Sequence, residues 1–598
     1  MTQSTPPSPA PGWFGHPRQL ARLFTTEMWE RLGFYGMRAL LVLYLTKHFV
    51  LGDRAAAGIY GGYMALVYLT PLLGGLVADQ YLGSKRSVRF GAILMAAGYF
   101  AMAFGGAPAQ PWIAIDGQHM AITRAGFHDG PTSADSETRT ITLSGQALTV
   151  VNAANDTVNL VDTAGHVVRT LPSDTEQGAA HSEARLTVLL AALALVSVGN
   201  GFFKPNISTM VGALYARGDR RRDAGFTIFY MGINLGSIIG QVLCPLLADT
   251  IGWGAAFSLS GLGMLVSWGL ITFDGGRLAG YGETPQRPAG DGKTASNAGD
   301  RKYLIAALAL AAVPLFALLF VQLMNTPEPV PSAGLVAYVV GLPLMGKLLF
   351  FSFLIGVPFI LIWSFLKGSR QEFQMMLAAM VLITFNTVFW ALFEQAGSSL
   401  TLFADRNTDR SVFGLFTMSA PQTQNFNSIA IVVLAPVLSM LWGWLARRNR
   451  EPSIPVKFGL ALVGVGAGFL LLVLGSHFAD SQYRVGLWWL AGLYVIHSVA
   501  ELLISPVGLS MITKLSIPRV VGLMMGMWFL SISMGEYVAG MVAQIASVKT
   551  VGGQVSDPAL SLATYVAVFT QIGWTAIVIG AVLLVIARPL RKLMHGVV

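Results

Sequence analysis

Four ionisable residues, Glu27, Glu30, Arg31 and Arg38, lie inside an apolar stretch from Leu20 to Phe49 that is long enough to cross a bilayer. A centrally placed Asp, Lys or Arg costs about 2.5–3.5 kcal/mol to insert, so such residues are rare in membrane helices unless they have a task. At about 100° per residue, positions 27, 30, 31, 34, 35 and 38 share one helix face. Two carboxylates within a turn of a guanidinium can hold and release a proton while the cation changes partner. This face, with Tyr35 on it, reads as the wall of a wet cavity in the membrane, and such a cavity suggests transport.

The composition agrees. The 598 residues are 54% hydrophobic and 12% charged, with mean hydropathy +0.60, whereas soluble domains average about 25% charged residues. The net charge of +9 does not point to nucleic acid. Basic residues gather in short loops between apolar runs, as the positive-inside bias requires, and no basic domain or aromatic-basic platform exists. The single cysteine, Cys244, sits in the apolar run GQVLCPLLAD and indicates neither disulfide nor metal chemistry. The stretch before Arg18 is polar and rich in Pro and Ser, without a signal-peptide core. No H-E-x-x-H cluster, nucleophile elbow or P-loop supports an enzyme, and no cofactor is expected.

Apolar spans fall at about 20–49, 55–79, 87–106, 186–214, 224–248 and 255–273, then 303–323 and 340–366, then 372–403, 425–446, 457–476, 486–511, 519–546 and 562–587. About fourteen helices result, as two groups of six around an inserted hairpin. The implied divisions are a tail at 1–17, an N-terminal bundle at 18–273, a loop and two-helix linker at 274–371, a C-terminal bundle at 372–590 and a tail at 591–598. Lys85, Arg86 and Arg89, then Arg217, Arg220, Arg221 and Arg222, then Arg447, Arg448, Arg450 and Lys457, then Arg588, Arg591 and Lys592 all alternate onto one side. That side and both termini should be cytoplasmic, while the hairpin loop NTPEPVPSAG, with no Lys or Arg, falls outside. Residues 107–184 break the pattern. Polar, alternating stretches such as TRTITLSG, QALTVVN and DTVNLVD, punctuated by SGQ and TAGH, predict a small β-rich insertion on the outer face. With acids at Asp116, Asp129, Asp135, Glu137, Asp156, Asp162, Asp174, Glu176 and Glu183 and no recognisable chemistry, it reads as a tolerated loop expansion, the alternative being a binding module for a partner or the cell envelope.

Other polar residues interrupt the spans. Lys204 follows Asn200 and precedes Pro205, marking an irregular, cavity-facing helix. Glu394 and Gln395 lie beyond Phe389 and Trp390, with Asn386 two turns earlier. Glu501 stands between Val499 and Leu502 and needs a cation or a proton. His497, one turn back, has a reference pKa near 6.5, yet is better read as a hydrogen-bonded helix member. Tyr35, Tyr68 and Asn234 fit as hydrogen-bonding groups of one cavity. A short peptide carries a free amine and a free carboxylate. Arg38 and Lys204 can grip the second and Glu394 the first, leaving the side chains unread.

The segment TTEMWERLGFYGMRALLVLYL closely resembles the E-x-x-E-R signature of the proton-coupled oligopeptide transporters, a branch of the major facilitator superfamily. GNGFFKPNISTMVG, FTIFYMGINLGSIIG, FWALFEQAGSSLTLFA and AELLISPVGLSMITKL are similar to that family's patterns at the corresponding helices, and GGLVADQYLGSKR resembles the superfamily loop signature, with Asp79, Gly83, Lys85 and Arg86. The resemblance implies an all-α major facilitator fold and symport of protons with di- or tripeptides across the cell inner membrane. It implies proton coupling at Glu27, Glu30 and Arg31, an apolar pocket wall at Trp528, an outer gate of Arg38 with Glu394 and an inner gate of Lys204 with Glu501. Two departures stand out. Phe34 occupies a position where the family commonly has a second tyrosine, and the 107–184 insertion is not part of the usual plan. Another major facilitator carrier, for nitrate, a sugar or a drug, and a peptide sensor without flux are the alternatives.

Overall fold

The computed structural model describes residues 12–597, except 133–136, 154–156, 173–174, 217–218, 220, 277, 279, 284–295, 327–338, 552–553 and 556. The tail before residue 12, Arg217, Arg220, Asp135, Asp156, Asp174 and most of the hairpin loop lie outside the described residues.

Among these residues are fourteen long helices: α1 (Gln19–Leu43), α2 (Asp53–Val77), α3 (Ser84–Met102), α4 (Glu183–Ala213), α5 (Arg221–Thr250), α6 (Trp253–Thr272), α7 (Ser296–Met324), α8 (Leu344–Lys367), α9 (Arg370–Phe393), then, past a short α10 (Ser399–Arg406), α11 (Asn425–Arg447), α12 (Ile454–Ser476), α13 (Leu487–Leu515), α14 (Val521–Ile545) and α15 (Pro558–Leu593). Twelve are long and apolar enough to cross a membrane. The other two are α1 and α3. The charges on α1 and the basic start of α3 lower their apolarity, and both are enclosed by their neighbours: α1 packs on α5 and α6, and α3 on α4 and α6. The chain is an all-α, multi-pass membrane protein.

α1–α6 pack mainly among themselves, as do α9 and α11–α15. The two groups meet where α2 crosses α14 and α5 crosses α11. At the first crossing a Cβ on Gly61 would lie 2.6 Å from the Gly540 Cα, so only paired glycines allow this approach. α7 and α8 lean on the outside of this joint, against α4 and α2 and against α9 and α14. Their apolar surfaces are largely exposed, as lipid-facing helices require.

The expected span 372–403 is instead two helices. α9 ends at Phe393, Glu394–Ser398 is a run of turns, and α10 restarts at Ser399. Gln395 stabilises the break, donating to the Ala391 and Ala539 carbonyls and accepting from Ser399 Oγ at 2.7 Å. Irregular backbone at membrane depth is tolerated only inside protein or beside a water-filled cavity, and here it presents Glu394. Cys244 is fully buried, its Sγ 3.8 Å from Ser260 Oγ.

The insertion forms two antiparallel sheets, of strand order β2-β1-β8 and β3-β4-β5-β6-β7, with β1 at Gln110–Ile115, β2 at Gln118–Ala121, β3 at Thr123–Ala125, β4 at Thr138–Leu143, β5 at Gln146–Asn152, β6 at Val158–Val161, β7 at Val167–Leu171 and β8 at Gln177–Ala180. Two-residue turns with both φ positive, Asp116-Gly117 and Ser144-Gly145, close β1–β2 and β4–β5 as tight hairpins demand. The insertion is not a free loop. Its stem bonds the first half: Lys47 Nζ donates to the Pro131 carbonyl at 2.6 Å, and Trp253 Nε1 to Asp129 at 2.9 Å. Its body reaches the second half, where Val551 enters the sheet core and Arg139 Nη1 donates to the Val551 carbonyl at 2.6 Å. Hydrogen bonds from charged donors contribute about 1.5–3 kcal/mol. Arg139→Ala should therefore raise amide exchange of residues 547–551 by at least tenfold, while unchanged protection would contradict this bridge.

Candidate functional site

A cavity opens between the two groups of helices. Its lining includes Tyr35 and Arg38 of α1, Tyr68 of α2, Asn234 of α5, Glu394, Asn427 of α11, and His497 and Glu501 of α13.

At one end Arg38 is clamped. Its guanidinium donates to Glu394 across the joint between halves, and its Nε donates to Tyr60 Oη at 2.8 Å. Both charges are buried. The Tyr60 ring in turn lies over Gly397 in the break after α9, so close that a Cβ there would fall 1.7 Å from the hydroxyl. Thus Tyr60, which sequence reasoning missed, fixes Arg38 from one side and the unwound backbone from the other.

Two further ion pairs join the halves on the side carrying the insertion. Lys47 Nζ meets Asp405 at 2.7 Å, and Asp53 receives both Arg406 Nη atoms, at 2.5 and 2.7 Å. Asp53 also accepts the Val548 amide at 3.0 Å. Among the described residues, every ion pair crossing between halves lies at Arg38–Glu394 or beyond it on this side. Removing one member of a buried pair costs about 3–5 kcal/mol. Asp53→Asn should therefore open this side, seen as a new longer-distance population between spin labels at the outer ends of α2 and α10. An unchanged distribution would rule out the latch.

The remaining predicted residues divide into two sets. Glu27 lies 3.0 Å from Arg31 Nε, and Glu30 contacts the same nitrogen. All three are buried, and Lys204 is close enough to act on both glutamates electrostatically. Two carboxylates thus converge on one guanidinium N–H, a set that accommodates a proton readily. This cluster does not line the cavity; Arg31 leans over the Phe34 ring, 5.2 Å from its centroid. The gate expected of Lys204 with Glu501 is not formed in this conformation. Lys204 Nζ instead sits 4.4 Å from the Tyr68 ring centroid, and Glu501 accepts from Asn427 Nδ2 at 3.2 Å. Trp528 likewise departs from expectation: it is absent from the cavity lining and packs on Gly508 of α13. Asn234 lines the cavity, its amide bonded to the Tyr230 carbonyl. His497 bonds the Val465 carbonyl at 3.1 Å between Phe393 and Phe469.

The POT family model matches residues 157–289 and 347–557. The chain belongs to the POT family. The stretch between the matched segments holds most of the α7–α8 hairpin, and α1 precedes them, but full-length relatives cover both. Peptide transporter YePEPT of Yersinia enterocolitica is 30% identical, over 98% of this chain and 96% of its own length. Dipeptide and tripeptide permease A of Escherichia coli is 28% identical over 97% and 94%. Among solved POT structures, a peptide transporter in complex with sulfate superposes with a TM-score of 0.71 at 28% identity, covering 98% of both chains. A mutant of that transporter in complex with alafosfalin gives 0.70 at 28% identity, with the same coverage.

Proposed function

We propose that this POT-family protein is a carrier, not an enzyme, that imports di- and tripeptides together with protons by alternating access. The observation that carries this reading is the Arg38–Glu394 pair at the closed end of the cavity. A zwitterion entering there exchanges one internal ion pair for two, because its amine takes Glu394 and its carboxylate takes Arg38, with Lys204 nearby. No net charge is added to a low-dielectric site. Nitrate would leave Glu394 buried without a counter-ion, and a sugar would satisfy neither charge. Tyr35, Tyr68 and Asn234 supply bonds to the peptide backbone, and the partly wet remainder accepts varied side chains.

Coupling follows from Glu27, Glu30 and Arg31. Protonating one glutamate releases cationic charge, on Arg31 or Lys204, toward the peptide carboxylate; losing the proton restores the pair and weakens the grip. One positive charge moving inward contributes about 2.3 kcal/mol per 100 mV, more than tenfold accumulation before any pH gradient. The insertion side is the outer face and the state seen is closed there. Both termini lie in the cytoplasm, and the membrane is the cell inner membrane. Rocking of α1–α6 against α9–α15 closes Lys204 on Glu501 when the outer side opens.

Reconstituted protein preloaded with unlabelled dialanine should exchange it for labelled dialanine, with trialanine competing and free alanine, nitrate and glucose failing to compete. Exchange blocked equally by nitrate or glucose would overturn the substrate class, and binding without exchange would mark a sensor.

A further inference from the structure

Glu536 is a buried carboxylate that the mechanism above does not use. It lies on α14 one turn before Gly540, where α14 crosses α2, and is 1% exposed. Neither of its carboxylate oxygens has a hydrogen-bond partner. Both Glu30 oxygens lack a hydrogen bond too, but Glu30 and Glu27 are ion-paired to Arg31, Glu394 to Arg38, and Glu501 accepts from Asn427. An ionised carboxylate left alone in such a place would cost several kcal/mol, so the group stays neutral until a cation reaches it.

Arg38 on α1 and Lys204 on α4 attract Glu536 electrostatically, Glu394 beyond α9 repels it, and Glu536 in turn acts on Tyr60 and Tyr68 of α2. The bond from Gln395 to the Ala539 carbonyl, 3.1 Å, brings the break that carries Glu394 to the same level of α14. α13 adds Glu501 and His497, each bonded elsewhere. α8 adds Lys347 and Lys367, neither of which is ion-paired to Glu536. Arg38 is already held by Glu394, whereas Lys204 makes no ion pair among the described residues and rests against the Tyr68 ring.

We propose that Glu536 is a second proton-carrying site of the transport cycle, separate from Glu27, Glu30 and Arg31. It holds a proton in the conformation seen here. Its O–H bond breaks when Lys204 swings toward it, the proton leaves to cavity water, and the carboxylate takes the ammonium as counter-ion. This rests on the symport reading above.

The test is the proton-to-dialanine ratio in proteoliposomes, read from the membrane potential at which a set peptide gradient gives no net flux. Glu536→Gln, which copies the protonated form, should still exchange dialanine but move one proton fewer per peptide. Accumulation at about 100 mV then falls about fiftyfold, since each charge is worth about 2.3 kcal/mol. A wild-type ratio in Glu536→Gln overturns the proposal while leaving symport intact; a wild type with no proton coupling overturns symport as well. Should Glu536→Gln not fold, infrared difference spectra with and without dialanine serve instead. A carboxylic-acid C=O band that shifts in Glu536→Asp supports the site, and identical spectra refute it.

Discussion

Glu30→Gln cuts proton-driven accumulation of dialanine more than tenfold and leaves peptide exchange in place. In the wild type two carboxylates press on one guanidinium, so a proton arriving at either changes how strongly Arg31 and the nearby Lys204 are held. Glutamine fixes position 30 in its neutral form. The peptide grip is then permanently released from proton control, and the site no longer distinguishes an acidic from a neutral side of the membrane. With one inward charge lost, about 2.3 kcal/mol per 100 mV no longer drives uptake, a fall of more than tenfold in accumulation. Counterflow needs only rocking of the loaded carrier, so it survives. Uptake against a gradient and counterflow, measured on the same vesicles, separate the two. Full accumulation by the variant would remove Glu30 from the coupling site.

The second large effect falls at the amine grip. Glu394→Ala leaves Arg38 buried with Tyr60 as its remaining hydrogen-bond partner, and deprives the peptide amine of its counter-ion. Truncating one partner of a buried charge pair costs about 2–5 kcal/mol, or roughly thirty- to several-thousandfold in affinity. Free dialanine should bind that much more weakly. An N-acetylated peptide offers only a carboxylate and has no use for Glu394, so the variant should bind it about as well as the wild type binds dialanine. Equal losses for blocked and free peptides, in titrations of purified protein, would show that Glu394 does not read the amine.

What could be read from the sequence followed from cost. Glu27, Glu30, Arg31 and Arg38 stand out because each is expensive in an apolar span, and the same reasoning found Lys204, Glu394 and Glu501. Glu536 has the same character but sits among small residues in SMGEYVAGM, with no other charged or amide residue within a turn to mark it. Asp53 and Arg406, and Lys47 and Asp405, lie near span ends where charges are ordinary, and each pair is separated by more than 350 residues. Only the folded chain brings them together. Tyr60 could not be told from other tyrosines until Gly397 and Arg38 were seen against it. The break after Phe393 was hidden because its residues remain apolar enough to extend a span, and the turn is made by Gln395 side-chain bonds that no local pattern announces. Spacing shows that Lys204 and Glu501 belong to opposite halves. Whether they touch depends on which side is closed, and that is a property of conformation.

The central claim is that protons and peptide move together through this cavity. Vesicles of reconstituted wild-type protein, clamped at zero potential and loaded with a fluorescent pH indicator, test it directly. Dialanine added outside at equal pH should acidify the lumen at a rate matching peptide entry, and an inward acid gradient should raise dialanine inside above its outside concentration. Dialanine entry with no lumen acidification and no response to the acid gradient would contradict the account.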